Sequence, residues 1–118
     1  MEILEILGRL IFGGFFFFSG LEHFRNLDGM QAYAKSKGVP SSKWAIILTG
    51  ALIVIGGLGV AFNIYTSLSA KLIAIFLALI TPQMHAYWKE SDPQRKASEK
   101  INFWKNIALL GAALIVSF

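Results

Sequence analysis

Four long apolar runs alternate with polar stretches along this chain, at residues 3–21, 44–62, 67–86 and 101–118. A helix crossing the hydrocarbon core of a bilayer needs about 20 mostly apolar residues, and each run is close to that length. Apolar positions cover every face of the runs, whereas a helix of a small soluble bundle keeps a polar face. The pattern predicts an all-α fold, an integral membrane four-helix bundle forming one domain over residues 1–118.

The polar residues collect between the runs, mostly at 22–43 and 89–100. Asn26, Asp28 and Gly29 read as a turn, and residues 29–37 as a short amphipathic piece lying on the membrane surface. Pro40, Ser41 and Ser42 read as the start of the second membrane helix. Asn63–Ser67 is an uncharged tight hairpin, and Ser91-Asp92-Pro93 reads as a turn opening the last polar stretch.

Composition sharpens this picture. Hydrophobic residues make up 55% of the chain and charged residues 15%, against about a quarter charged in a typical soluble domain. The absence of cysteine excludes disulfides, thiol chemistry and iron–sulfur or zinc–thiolate centres from this chain. The net charge of +4 does not point to nucleic acid, because the basic residues are sorted by loop. Arg25, Lys35, Lys37 and Lys43 lie in the first polar stretch, and Lys89, Arg95, Lys96 and Lys100 in the third. Short loops rich in Lys and Arg stay cytoplasmic. A multi-pass protein of the inner (plasma) membrane is therefore expected, with loops 22–43 and 87–100 cytoplasmic and both termini outside. Glu2 and Glu5 stand where a secretory leader would be basic, so the first run is expected to be retained as a membrane helix.

Helices associate in lipid through close backbone approach at small residues. Gly13 and Gly20 in the first run, Gly50, Gly56, Gly57 and Ala61 in the second, Ala70, Ala74 and Ala78 in the third, and Ala108, Gly111 and Ala112 in the fourth are the expected contact positions. Arg9, Gly13, Phe16, Gly20 and His23 share one helical stripe expected to face the bundle. In the third run, Ala74, Ala78, Pro82 and His85 form another. The Phe15–Phe18 run covers all faces of its helix, so part of it must touch lipid or a partner subunit.

Ionisable residues at membrane depth are costly and mark structural pairing or a functional site. Arg9 lies one turn after Glu5, and either pairs with it or offers a fixed positive charge to an anionic or quinone-like head group. Glu22 and His23 close the first run, while Gln83, His85 and Trp88 lie at the end of the third. Asn102, Lys105 and Asn106 open the fourth. An up-and-down arrangement gathers all of these except Arg9 at one membrane face. The ligand-binding candidates are thus Arg9, His85, Trp88, Asn102, Lys105 and Asn106, with Glu22, His23 and Gln83 as secondary candidates. Two histidines with no second carboxylate–histidine pair do not complete a metal or haem site, so no metal is expected, and no catalytic residue is assigned.

Several segments together resemble a known family: GRLIFGGFFFFSGLEHFRN in the first run, GMQAYAKSKGVP in the loop after it, MHAYW ending the third run, and INFWKNIALLGA opening the fourth. They resemble the DoxX family of small bacterial and archaeal four-helix membrane proteins. One departure stands out: many DoxX-like sequences carry a glutamate before the paired glycines of the second helix, and residues 51–57 here contain no acid. The family's namesake is a small subunit of a thiosulfate:quinone oxidoreductase, and other members are linked to membrane redox systems. The resemblance implies an accessory subunit of a quinone-linked membrane redox or respiratory complex, with a quinone as the candidate cofactor. Any oxidoreductase activity would then belong to the larger complex. The alternative is a structural or assembly subunit without chemistry. Expected partners are the lipid bilayer and either a larger membrane complex or further copies of the chain.

Overall fold

The computed structural model describes residues 2–118. The elements are α1 (Glu2–Arg25), α2 (Leu27–Ser36), α3 (Ser42–Ala61), α4 (Thr66–Met84), a single 3-10 turn (Tyr87–Lys89) and α5 (Pro93–Ser117). No strand occurs among the described residues. The molecule is 46 Å along its longest axis, which suits the core plus headgroup thickness of a bilayer, about 40–45 Å. α1, α3 and α4 are each long and apolar enough to cross one. The chain is therefore a helical membrane protein.

The central seam is between α1 and α3. Gly13 and Gly20 are two helical turns apart, and Gly57 and Gly50 match them on the antiparallel helix. A methyl group added at Gly57 would lie 2.6 Å from the Gly13 carbonyl oxygen, and one at Gly20 would lie 2.8 Å from the Gly50 carbonyl oxygen. No side chain fits there, so the backbones themselves are in contact, as membrane helices without a hydrophobic driving force require. Of the expected inward stripe of α1, Gly13, Phe16, Gly20 and His23 are buried and Arg9 is half-buried. Phe15 and Phe18 point outward, 47% and 64% exposed.

α3 turns into α4 through Asn63 and Tyr65, both in the left-handed region at φ 57° and 46°, as the hairpin reading anticipated. The stripe predicted along α4 is only half right. Its buried face is Ser69, Ala70, Ile73, Ala74, Leu77 and Thr81, while Ala78 and Pro82 are exposed. Steps of four residues each turn about 400°, so a run of them drifts about 40° per step off the contact face. Alternating steps of three and four stay on it. In α5 the buried positions are Glu99, Asn106, Ala113 and Ser117, while the expected Ala108 is exposed and Gly111 and Ala112 are half-buried.

Helix boundaries differ from expectation mainly at the polar ends. α4 stops at Met84, two residues past Pro82, because proline removes a ladder hydrogen bond and crowds the preceding turn. α5 starts at Pro93, well before residue 101. The Asp92 carboxylate accepts from the Arg95 N–H at 3.0 Å, and Pro93 takes the first helical position, a strong capping combination. The Ser91-Asp92-Pro93 turn is thus a helix start. The turn expected at Asn26, Asp28 and Gly29 is confined to Asn26: α1 runs to Arg25, and α2 begins at Leu27. α2 occupies the place expected for an amphipathic surface piece. It ends in a Schellman arrangement, with Val39 N–H on the Ala34 carbonyl (3.1 Å) and Gly38 N–H on the Lys35 carbonyl (3.0 Å), and Gly38 takes the required positive φ of 80°.

α5 lies antiparallel along the whole of α4. Ser67 Oγ, at the start of α4, donates to the Ser117 carbonyl at 2.7 Å, while His85, just past its end, reaches Glu99 at 3.3 Å. One end of the molecule therefore collects the C-terminal ends of α1 and α4, the N-terminal ends of α3 and α5, and α2 across them.

Filling the seam should be far costlier than adding the same methyl group elsewhere on α1. Gly13→Ala is expected to destabilise the protein by about 1–3 kcal/mol through overpacking. Gly14→Ala, with nothing within 4 Å of the added carbon, should stay within about 0.5 kcal/mol of the parent. Equilibrium unfolding in mixed micelles measures both.

Candidate functional site

At the end covered by α2, one carboxylate organises four side chains. Glu99 lies in the first turns of α5, 7% exposed. Its Oε2 accepts from Tyr33 Oη at 2.7 Å and from Lys37 Nζ at 2.7 Å. Its Oε1 faces His85 Nδ1 at 3.3 Å and Asn102 Nδ2 at 3.4 Å. Lys37 also reaches Glu90 Oε1 at 2.9 Å, and the Lys37 carbonyl accepts from Gln83 Nε2 at 2.7 Å. α2, α4, the 3-10 turn and α5 are thus tied together through Glu99 and Lys37.

Burial alone would raise the Glu99 carboxyl, but the hydrogen bonds from Lys37, Tyr33, His85 and Asn102 outweigh it and hold it at about 2. Burial pushes Tyr33 up, and the neighbouring Glu99 carboxylate pushes it further, to about 12. Burial would lower Lys37, yet its bonds to Glu99 and Glu90 keep it above the ordinary lysine value. For Glu99, whose value is depressed on folding, the stabilisation is present above the free carboxylate range and is lost as pH falls towards 2.

Two cavities share the wall formed by these residues. On one side lies a polar cleft of about 550 Å³, lined by Tyr33, Ser36, Lys37, Glu90, Arg95, Ser98, Glu99 and Asn102. On the other lies a cleft of about 300 Å³ between the helices. Its walls are mainly apolar, including Phe15, Phe16, Ile46, Ile53, Phe76, Leu77 and Ile80, and its polar lining is Ser19, His23, Thr49, Gln83, His85, Lys105 and Asn106, with Tyr33 beside them. A mostly apolar cleft with a few convergent polar groups is the usual form of a small-molecule site. His23 is buried, and its Nδ1 donates to the Ile46 carbonyl at 3.0 Å. Thr49 Oγ1, itself 3.2 Å from that nitrogen, donates to the Ala45 carbonyl at 2.7 Å.

The structure therefore brings His23, Gln83, His85, Lys105 and Asn106 to one cleft, and Asn102 to the Glu99 carboxylate on its other side. The remaining candidates lie elsewhere. Trp88 is 52% exposed and belongs to an aromatic group with Tyr87 and Phe103 at ring distances of 5.2 and 5.6 Å. It lines neither cleft. Glu22 makes a surface pair with Arg25 at 3.4 Å. Arg9 sits towards the opposite end of α1, with its Nε buried and without a hydrogen-bond partner among the described residues, and the expected pair with Glu5 is not formed among them. No group of three or more metal-binding side chains occurs among the described residues. Glu99, Tyr33, Lys37, Glu90 and Thr49 were not anticipated. The Asp92-Pro93 cap was the available clue, because a helix started there places Glu99, Asn106 and Ala113 at successive seven-residue steps on one face.

The DoxX family model matches residues 4–86. The chain belongs to the DoxX family. It is also 28% identical over 116 residues to the inner membrane protein YphA of Escherichia coli (strain K12), an alignment covering 98% of this chain and 81% of that protein. No solved structure matches the chain. The matched region holds α1 to α4, including both histidines of the cleft, and stops short of α5 and its Glu99.

The Tyr33–Glu99 contact can be read directly. In a Tyr65→Phe, Tyr87→Phe background, the Tyr33 phenol should ionise near pH 12. In Glu99→Gln it should ionise closer to the ordinary value of about 10. Ultraviolet difference titration in detergent measures both.

Proposed function

We propose that this DoxX protein is an accessory subunit of a quinone-linked membrane redox complex and that the apolar cleft is its quinone-contact site. The observation that carries the reading is the cleft itself, which sets His85, Lys105 and Asn106 among aromatic and aliphatic walls at one end of the bundle. A quinone needs an apolar slot for its ring and tail and polar groups for its two oxygens, and both are present. The implied redox association of the family supports the same reading. In this account Trp88 and Arg9 are not ligand contacts, because neither lines the cleft. The chain has no cysteine for a thiol or iron–sulfur redox centre, and in this reading the electrons come from a cofactor or another subunit.

Titration of the purified protein in nanodiscs with a short-tailed benzoquinone should show saturable binding at one site per chain. His85→Ala should weaken binding of the corresponding hydroquinone about tenfold, the equivalent of one good polar contact. Failure to saturate, together with mild-detergent purification that brings down no redox subunit, would favour the purely structural role.

We place the end bearing α2 and the 3-10 turn in the cytoplasm, with both termini outside. The support is the concentration of Lys and Arg at that end. Single cysteines replacing Ser98 and Ser67 should label only from the cytoplasm and only from outside, respectively. The reverse pattern would invert the topology.

A further inference from the structure

The hydrogen bonds around the two histidines specify which form of ligand the cleft accepts. His85 Nδ1 faces Glu99 Oε1 at 3.3 Å. An ionised carboxylate can only accept, and Glu99 is kept ionised by Lys37 and Tyr33, each 2.7 Å from its other oxygen. The proton of a neutral His85 ring must therefore sit on Nδ1. The charge of Glu99 is already balanced by Lys37, and Lys105 lines the same cleft, so the ring is neutral imidazole. His23 is set in the same way, because its Nδ1 faces the Ile46 carbonyl at 3.0 Å, another group that can only accept. Among the described residues neither Nε2 has a hydrogen-bond partner, and neither is among the sealed, unpartnered polar atoms. Both rings line the apolar cleft. The cleft thus offers hydrogen-bond acceptors at its two histidines.

We propose that the cleft selects the hydroquinone form over the quinone, with Glu99 as the positioning residue that fixes the accepting tautomer of His85. This rests on the quinone reading above and makes it more specific. A hydroquinone hydroxyl donates to the bare Nε2. A quinone carbonyl at the same place sets two acceptors against each other and loses the bond, a mismatch that polar sites discriminate strongly. Fixing a histidine tautomer through an outer hydrogen bond is a common device wherever one ring nitrogen has work to do.

Two measurements test the proposal separately. The first is the ¹⁵N spectrum of histidine-labelled protein in nanodiscs, with the two rings assigned through a His23→Asn variant. His85 should show a protonated Nδ1 and a bare Nε2, and Glu99→Gln should yield mixed tautomers because an amide can donate as well as accept. A wild-type His85 protonated on Nε2, or a tautomer unaffected by Glu99→Gln, overturns the positioning role. The second is anaerobic titration with decylubiquinol and decylubiquinone. The reduced form should bind at least about tenfold more tightly to the wild type, and that preference should shrink towards parity in Glu99→Gln. Equal or tighter binding of the oxidised form overturns the selectivity while leaving the quinone reading intact. Binding of neither form removes the quinone reading itself, and the nitrogen spectrum still judges Glu99.

Discussion

A carboxylate taken out of water must be fully matched by donors or it destabilises the fold. Glu99 meets that requirement with Lys37 and Tyr33 on one oxygen and His85 and Asn102 on the other. The consequence is architectural as well as local. Lys37 and Tyr33 come from α2 and the residue capping it, His85 from the end of α4, and Asn102 from α5. One anion therefore docks the amphipathic helix and ties the end of α4 to the opening turns of α5. Without it α2 would be left with its apolar contact at Ala34, 1% exposed, the Gln83–Lys37 bond, the Lys37–Glu90 pair and the long Tyr33–Met84 contact.

The α1–α3 seam provides the frame on which this depends. Backbone contact at Gly13–Gly57 and Gly20–Gly50 holds those helices too close for any ligand to enter between them. The same register carries His23 against the N-terminal half of α3, where Ile46 and Thr49 meet its ring. The apolar cleft lies at the α2 end, lined by residues of α1, α3, α4 and α5. The two packing modes have separate roles: small residues set the frame, and the polar cluster sets the chemistry at its open end.

Hydropathy and small-residue spacing made most of this frame legible. The inward stripe from Gly13 to His23, the α3 start at Ser42 and the hairpin at residues 63–65 all follow from local rules that the lipid environment reinforces. Hydropathy failed at the polar ends, because it reads Arg95, Lys96, Glu99 and Lys100 as a loop although the Asp92-Pro93 cap starts a helix there. With that stretch read as loop, Glu99 had no face and could not be placed beside His85. Tyr33 and Lys37 were out of reach for a different reason. Their partner lies more than sixty residues away in the chain, and only the return of α5 along α4 brings it near. The alignment of His85 with Lys105 and Asn106 was accessible because it needs only the up-and-down order of the helices.

Glu99 seats α2 over the end of the bundle that holds the cleft. Hydrogen–deuterium exchange in nanodiscs, comparing the parent chain with Glu99→Gln, tests it most directly. Residues 27–36 should exchange slowly in the parent and much faster in the variant, with the amides around Gly13–Gly20 and Gly50–Gly57 unchanged in both. Equal protection of residues 27–36 in the two proteins would contradict the account.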